Sequence, residues 1–199
     1  MTYDLFIGLL VFASIAAFTP GPNNTLLIAS GVNFGLAKTV PLIAGVTIGF
    51  PLMIACVGFV LGRAFEFTPQ LHDALKYISA VYMLWLAWKI ATSQPSGGGA
   101  EAVGRPMTFL QACAFQWINP KAWAMALTAL STYTTAENHN WGVVVVVLTA
   151  CVMGIGSAST WAMFGSGLKH ILNDIRYYKF INYGLAAALV ASLVPMLWH

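Results

Sequence analysis

Apolar residues gather into six long stretches separated by short polar intervals. A helix that crosses a bilayer needs roughly 20 mostly apolar residues. On that measure the pattern predicts spans over Leu5–Ala29, Val40–Leu61, Leu75–Ile90, Phe109–Leu130, Trp141–Phe164 and Phe180–Trp198. Pro41 stands at the start of the second, where a first helical turn tolerates it. Ala91 to Pro106, with Ser96-Gly97-Gly98-Gly99 inside it, reads as a flexible tether between two groups of three spans.

Two of the stretches contain residues that a continuous helix rejects. The first carries Phe18-Thr19-Pro20-Gly21-Pro22-Asn23-Asn24. Its two prolines remove backbone donors, and Gly21 accepts almost any geometry. The fourth carries Phe115-Gln116-Trp117-Ile118-Asn119-Pro120-Lys121, which repeats the aromatic, amide and proline chemistry and adds a lysine. A break inside hydrocarbon leaves unpaired backbone groups, which must be buried in protein or face a water-filled cavity. Interrupted segments at matching places in two halves point to a transport site. Three spans per half invert the second half relative to the first. The expected fold is thus an all-α membrane protein: six transmembrane helices as two inverted three-helix repeats, with helices 1 and 4 broken. Residues 1–199 form one domain, with halves 1–93 and 107–199 and a cytoplasmic linker over 94–106.

Composition fixes the class. The chain is 59% hydrophobic and 8% charged, against about 25% charged in a soluble domain. The lipid bilayer is its solvent. A net charge of +3 gives no reason to expect nucleic acid. Lys38, Lys89, Arg105, Lys169, Arg176 and Lys179 fall on one side of the spans, and Arg63 and Lys76 on the other. That bias predicts both termini outside. Met1-Thr2-Tyr3-Asp4 lacks a positive leader region, so the first segment is expected to remain as a span. Tyr82, Trp85, Trp88, Trp141, Tyr177, Tyr178 and Trp198 fit interfacial belts. Small faces at Gly31 and Gly35, Gly45 and Gly49, and Gly154, Gly156 and Ala158 suit close helix packing within the chain; a homodimer face is the other reading.

Other chemistries find little support. Cys56, Cys113 and Cys151 lie in apolar stretches without a Cys-x-x-Cys pair and read as small buried hydrophobes. His72, His139, His170 and His199 fall in loops or at the terminus, with no metal-ligand spacing. No phosphate loop, nucleotide motif or paired-carboxylate site is present, so no cofactor and no metal are expected, and the protein is not expected to be an enzyme. Two rivals remain open: a membrane thiol-disulfide electron carrier and a non-transporting membrane subunit.

The Pro20-Gly21-Pro22-Asn23-Asn24 stretch with the Gly31 to Gly49 region, and the second signature Asn119-Pro120-Lys121-Ala122, resemble the LysE/RhtB family of amino-acid exporters. The likeness covers the whole chain. Within the family, Trp85-Leu86-Ala87-Trp88-Lys89-Ile90-Ala91-Thr92-Ser93 and Thr128-Ala129-Leu130-Ser131-Thr132 look most similar to the cysteine and O-acetylserine exporters. Many relatives carry a histidine in the second span, where Met53 stands here. The resemblance implies proton-driven export of small amino acids, or close metabolites, through a bacterial inner membrane.

Such a cargo is a zwitterion. Its carboxylate needs donors or positive charge, and its ammonium needs acceptors. A half-helix starting near Asn23 would aim its free N–H groups and positive dipole end at the carboxylate. The expected binding set is Thr19, Pro20, Gly21, Pro22, Asn23, Asn24, Gln116, Asn119, Pro120 and Lys121. Asn23 and Asn24 are read either as N-caps of the broken helix or as caps that also touch the ligand. Lys121 is an ionisable residue within a span and so a functional candidate. It is read as a counter-charge, as a proton carrier, or as a structural cation that snorkels or binds carbonyls freed by Pro120.

Overall fold

The computed structural model describes residues 1–61, 69–92, 105–134, 139–171 and 175–191, and no strand occurs among them. Residues 94–104 of the expected linker at 94–106, together with Arg63 and Trp198, lie outside the described residues.

Helix α1, Tyr3–Phe18, starts on Thr2, whose hydroxyl accepts from Leu5 N. It stops at Thr19, and α2, Pro22–Phe34, leaves at a bend of 47°. The prolines explain the stop and the restart. Pro22 opens α2, where a first-turn residue has no intrahelical donor role to lose. Gly35, at φ 82°, is the one positive-φ residue among those described. Glycine adopts that conformation without steric cost, so Gly35 serves the turn into α3 and not a packing pair with Gly31.

Helix α3, Leu36–Cys56, passes into a wider π-type turn, Val57–Leu61. It begins a turn earlier than the apolar pattern indicates, which puts Pro41 in its interior alongside Pro51. Helix α4 is Pro69–Ala91. Helix α5, Phe109–Ile118, is fixed at its start by a capping box between Thr108 and Gln111. Asn119 ends α5 and also caps α6, Pro120–Tyr133. Helices α7, His139–Ile171, and α8, Ile175–Ala191, are the last among the described residues.

Helix α2 is the buried axis. It packs chiefly on α7, which also runs against α1, α3 and α6; α3 lies on α5, and α4 on α8. The glycines explain how closely these backbones approach. A Cβ on Gly31 would stand 2.6 Å from Ala162 O, and one on Gly165 would strike Ile28 O. A Cβ on Gly49 would stand 2.7 Å from Cys113 Cα. These small faces are therefore used inside the chain. Two apolar cores result. One joins Leu27, Leu42, Met83, Phe115, Ala162 and Leu189. The other joins Leu9, Ile54, Val57, Ala126, Leu130 and Val143.

The outer surface is apolar as well. Ile15 and Val152 are 63% and 66% exposed, which in a chain so poor in charge marks faces turned to lipid. Leu36–Phe59 and His139–Leu168 are each long and apolar enough to cross a bilayer, and the bent pair α1–α2 makes a third if counted as one span. This is a multi-pass helical membrane protein. The other expected spans are shorter among the described residues: Ala80–Ala91, Phe109–Ile118 and Lys179–Ala191. The fourth is cut at Asn119, and the sixth runs past the described residues.

Candidate functional site

The two breaks meet at one cavity. Its empty space, open mouth included, is about 770 Å³. Along α1 the lining runs from Leu9 through Phe12, Ala13 and Ala16 to Ala17, about 12 Å at 1.5 Å per residue. Helix α3 contributes Val46, Phe50 and Ile54, and α6 contributes Lys121, Ala122, Met125 and Ala129. Each set follows helical spacing, one face per helix. Polar groups gather only at the break end: Asn23, Asn24, Asn119, Lys121 and Ser157.

Helix ends explain that polarity. Prolines at the first positions of α2 and α6 bring two helix N-termini to the cavity. Such ends carry free N–H groups and partial positive charge. Two carbonyls at the end of α1, those of Ala17 and Thr19, each accept two bonds. Ala17 O accepts from Asn24 Nδ2 at 3.1 Å and from Ser157 Oγ at 2.7 Å. Thr19 O accepts from Asn24 Nδ2 at 2.9 Å and from Lys121 Nζ at 2.5 Å. The lysine crosses from the second break to the first. Its stem lies over Gly21, where a Cβ would stand 2.7 Å from Lys121 Cδ. An ammonium has three donors, and one is used here.

The amides hold the two halves together. Asn23 Nδ2 donates to Gln116 Oε1 at 2.8 Å, and Gln116 Nε2 returns a bond to Asn23 Oδ1 at 3.2 Å and donates to Ala112 O at 2.9 Å. Asn119 Oδ1 accepts from Lys121 N at 3.1 Å, as an N-cap should.

The predicted residues thus divide by role. Gly21, Asn23, Asn24, Asn119 and Lys121 line the cavity. Gln116 stands behind Asn23, Thr19 takes part through its carbonyl, and Pro22 and Pro120 start the half-helices. Pro20 is exposed and lies away from the lining. One expectation is corrected. Gly21 is the N-cap of α2 and makes no side-chain cap bond; Asn24 instead reaches back to cap the end of α1, because its amide donors face carbonyls that the bend exposes. For Lys121, the carbonyl it binds is the one freed at the first break, not one freed by Pro120.

Some polar groups were not singled out by sequence reasoning. Ser157 falls within the small face of α7. Asn33 and Asn182, 2% and 0% exposed, form a second reciprocal amide pair, at 3.1 and 3.2 Å. The available signal was an amide isolated in an apolar stretch. Thr39 donates to Gly35 O, which leaves Ser30 as the donor in the buried Ser30–Thr39 bond of 2.8 Å. The three cysteines are free thiols, and none lines the cavity. Among the described residues no His, Cys, Asp and Glu cluster could hold a metal.

An apolar helical membrane protein with a cation and two helix N-termini at an interior cavity is built as a carrier of small molecules. Comparison with known proteins gives the same class and narrows it. Residues 14–193 match the LysE type translocator family, and the chain belongs to that family. It is a translocator and not an enzyme. Proteins named cysteine/O-acetylserine efflux protein are 32% identical to it over 201 residues, all of both chains, in Escherichia coli (strain K12) and Shigella sonnei (strain Ss046). The one from Klebsiella pneumoniae is 32% identical over 197 residues, 98% of this chain and 97% of its own. No solved structure matches.

Proposed function

We propose that the protein exports small uncharged amino acids, with cysteine and O-acetylserine first among them, across a bacterial inner membrane. One observation carries this reading. Among the described residues Lys121 is a cation bonded through its side chain to a backbone carbonyl, in a cavity whose other polar groups are amides and a hydroxyl. A substrate carboxylate supplies the missing counter-charge, helped by the N-termini of α2 and α6. The substrate ammonium finds its acceptors among the amide oxygens of the lining, those of Asn23, Asn24 and Asn119. Its side chain enters the apolar part of the cavity, among Phe12, Phe50, Met125 and Met153. That lining offers no partner to a charged side chain, which favours the substrates named for the relatives.

Transport in this reading is alternating access. Six spans form two inverted halves, 1–93 and 107–199, joined by a cytoplasmic linker at 94–106, with both termini outside. Each half rocks about its broken helix, and the proton gradient drives the cycle. The faces at Gly31, Gly49 and Gly165 are engaged within the chain, whereas Gly156 is exposed and open, so a homodimer would use the Gly156 face or other surface.

The test is metabolite profiling of medium from cells that overproduce the wild type or Lys121→Ala, with membrane content matched. Selective accumulation of one or a few neutral amino acids with the wild type alone is the expected result. Equal accumulation with both removes Lys121 from the mechanism. No difference from empty cells would favour a non-transporting subunit.

A further inference from the structure

Once the protons of each side chain are counted, the polar end of the cavity sorts into donors at the start of α6 and acceptors on α2 and α7. Asn24 gives both of its amide protons, one to Ala17 O and one to Thr19 O. Both partners are carbonyls, which only accept, so the orientation of this amide is fixed. Its Oδ1 meets no donor among the described residues. The one buried side-chain nitrogen or oxygen without a partner among those residues is Trp161 Nε1, so Asn24 Oδ1 is open to the cavity that Asn24 lines. Ser157 gives its single proton to Ala17 O at 2.7 Å. Its oxygen keeps two lone pairs on the same cavity. Alanine would satisfy the packing of that helix face, as Ala150 and Ala158 do, so the hydroxyl is what Ser157 adds.

The start of α6 carries the reverse. Asn119 Oδ1 accepts from Lys121 N, which leaves Nδ2 as the free end of that amide, with two protons to give. Lys121 Nζ uses one of its three donors on Thr19 O. Asn23 does not discriminate, because Gln116 takes one of its protons and occupies one lone pair of its oxygen. The helix ends reinforce the division. Ser157 and Asn24 both bond the C-terminal carbonyls of α1, where partial negative charge favours a cation. A hydroxyl that donates to such a carbonyl is polarised and accepts more strongly. The N-terminus of α6 favours an anion.

We propose that Ser157 Oγ and Asn24 Oδ1 form the subsite for the α-ammonium of the cargo, while Lys121 and Asn119 hold its carboxylate. The assignment rests on the export reading above and adds which groups take each end of the cargo. The carboxylate then lies between two cations, the lysine and the cargo's own ammonium. Specificity follows from the acceptors. A carboxylate that lacks the ammonium leaves Ser157 Oγ and Asn24 Oδ1 desolvated and unpaired, and a site built to hydrogen-bond a group rejects the analogue without it. The carrier therefore selects a free α-amino group, whatever uncharged side chain fills the apolar part of the cavity.

The test is counterflow of labelled L-cysteine, under reductant, into proteoliposomes that hold the full chain and are loaded with unlabelled L-cysteine, so that no ion gradient is needed. The competitor is 3-mercaptopropionate, which has the same thiol and carboxylate but no ammonium. With the wild type it should compete roughly tenfold more weakly than L-cysteine, the scale of one hydrogen bond to a charged group. Ser157→Ala should raise the L-cysteine constant roughly tenfold and leave that of 3-mercaptopropionate where it was. Ser157→Thr keeps the hydroxyl and should restore the preference. If Ser157→Ala does not fold, Ser157→Cys, whose sulfur is a weak acceptor, takes its place under the same outcomes. Three results overturn the assignment while export stands: equal competition by both compounds with the wild type, a preference that survives loss of the hydroxyl, or a loss shared equally by both compounds. Absence of wild-type counterflow with L-cysteine and with O-acetyl-L-serine instead overturns the export reading, and the assignment falls with it.

Discussion

Gly21→Ser isolates the berth of the lysine. Gly21 has φ −176°, extended backbone that any residue adopts, so conformational freedom does not explain the glycine. Serine is also a favoured N-cap, so the start of α2 is preserved. What changes is space. The new Cβ would stand 2.7 Å from Lys121 Cδ, 3.1 Å from Nζ and 3.4 Å from Cε. Ordinary carbon contacts lie near about 3.5–4.0 Å, so the lysine stem must move by roughly 1 Å and its bond to Thr19 O is lost or bent. A hydrogen bond to a charged group contributes about 1.5–3 kcal/mol, and about 1.4 kcal/mol is tenfold in affinity. If the berth holds Lys121 for substrate, apparent KM for efflux should rise by roughly ten- to a hundredfold while membrane content is unchanged. Efflux of labelled substrate from preloaded vesicles measures this. Gly156→Ala is the control, since a Cβ there meets nothing within 4 Å. Wild-type KM in Gly21→Ser would refute the argument that the lysine must lie where the glycine leaves room.

Three further outcomes are expected. Asn23→Leu and Gln116→Leu should each destabilise the protein, because each leaves amide atoms unpaired in the interior, at about 1–3 kcal/mol. The double variant should cost less than the sum, with a coupling of about 0.6–1.7 kcal/mol as in other membrane proteins; thermal unfolding in detergent measures the cycle, and strict additivity would contradict the reciprocal pair. Gly165→Ala should be worse than either single amide variant, because its Cβ strikes the backbone of Ile28 and not a movable side chain; a wild-type melting temperature would contradict the crossing of α2 and α7. Asn24→Ala should weaken folding more than Thr128→Ala on the exposed face of α6, since Asn24 alone bonds both Ala17 O and Thr19 O; proteolysis of the solubilised variants reports the difference.

The breaks and the lysine were legible because their signals are covalent. Proline lacks a donor wherever it falls, and a cation in an apolar stretch is rare at any depth. Their partners were not legible. Asn24 caps the helix before it and not its own, because the 47° bend turns carbonyls of α1 towards its amide. That bend is a tertiary fact. Gly35 looked like packing because its spacing from Gly31 matches a motif, while its actual work is a turn. Asn182 was missed because its meaning lies in Asn33, about 150 residues away. His139 was placed in a loop, since a helix start without an acidic first turn gives no polar cue.

Ten of the thirteen residues of α2 are buried, including Asn24, Thr25, Ser30 and Asn33. A segment so rich in amides and hydroxyls gains little from lipid and is at home only among its neighbours. Two of those neighbours, α7 and α8, lie far downstream in the chain. During synthesis α2 must therefore wait, in the company of the insertion machinery or folded against α3, until they arrive, and a chain truncated before α7 should strand α2 without a place to settle.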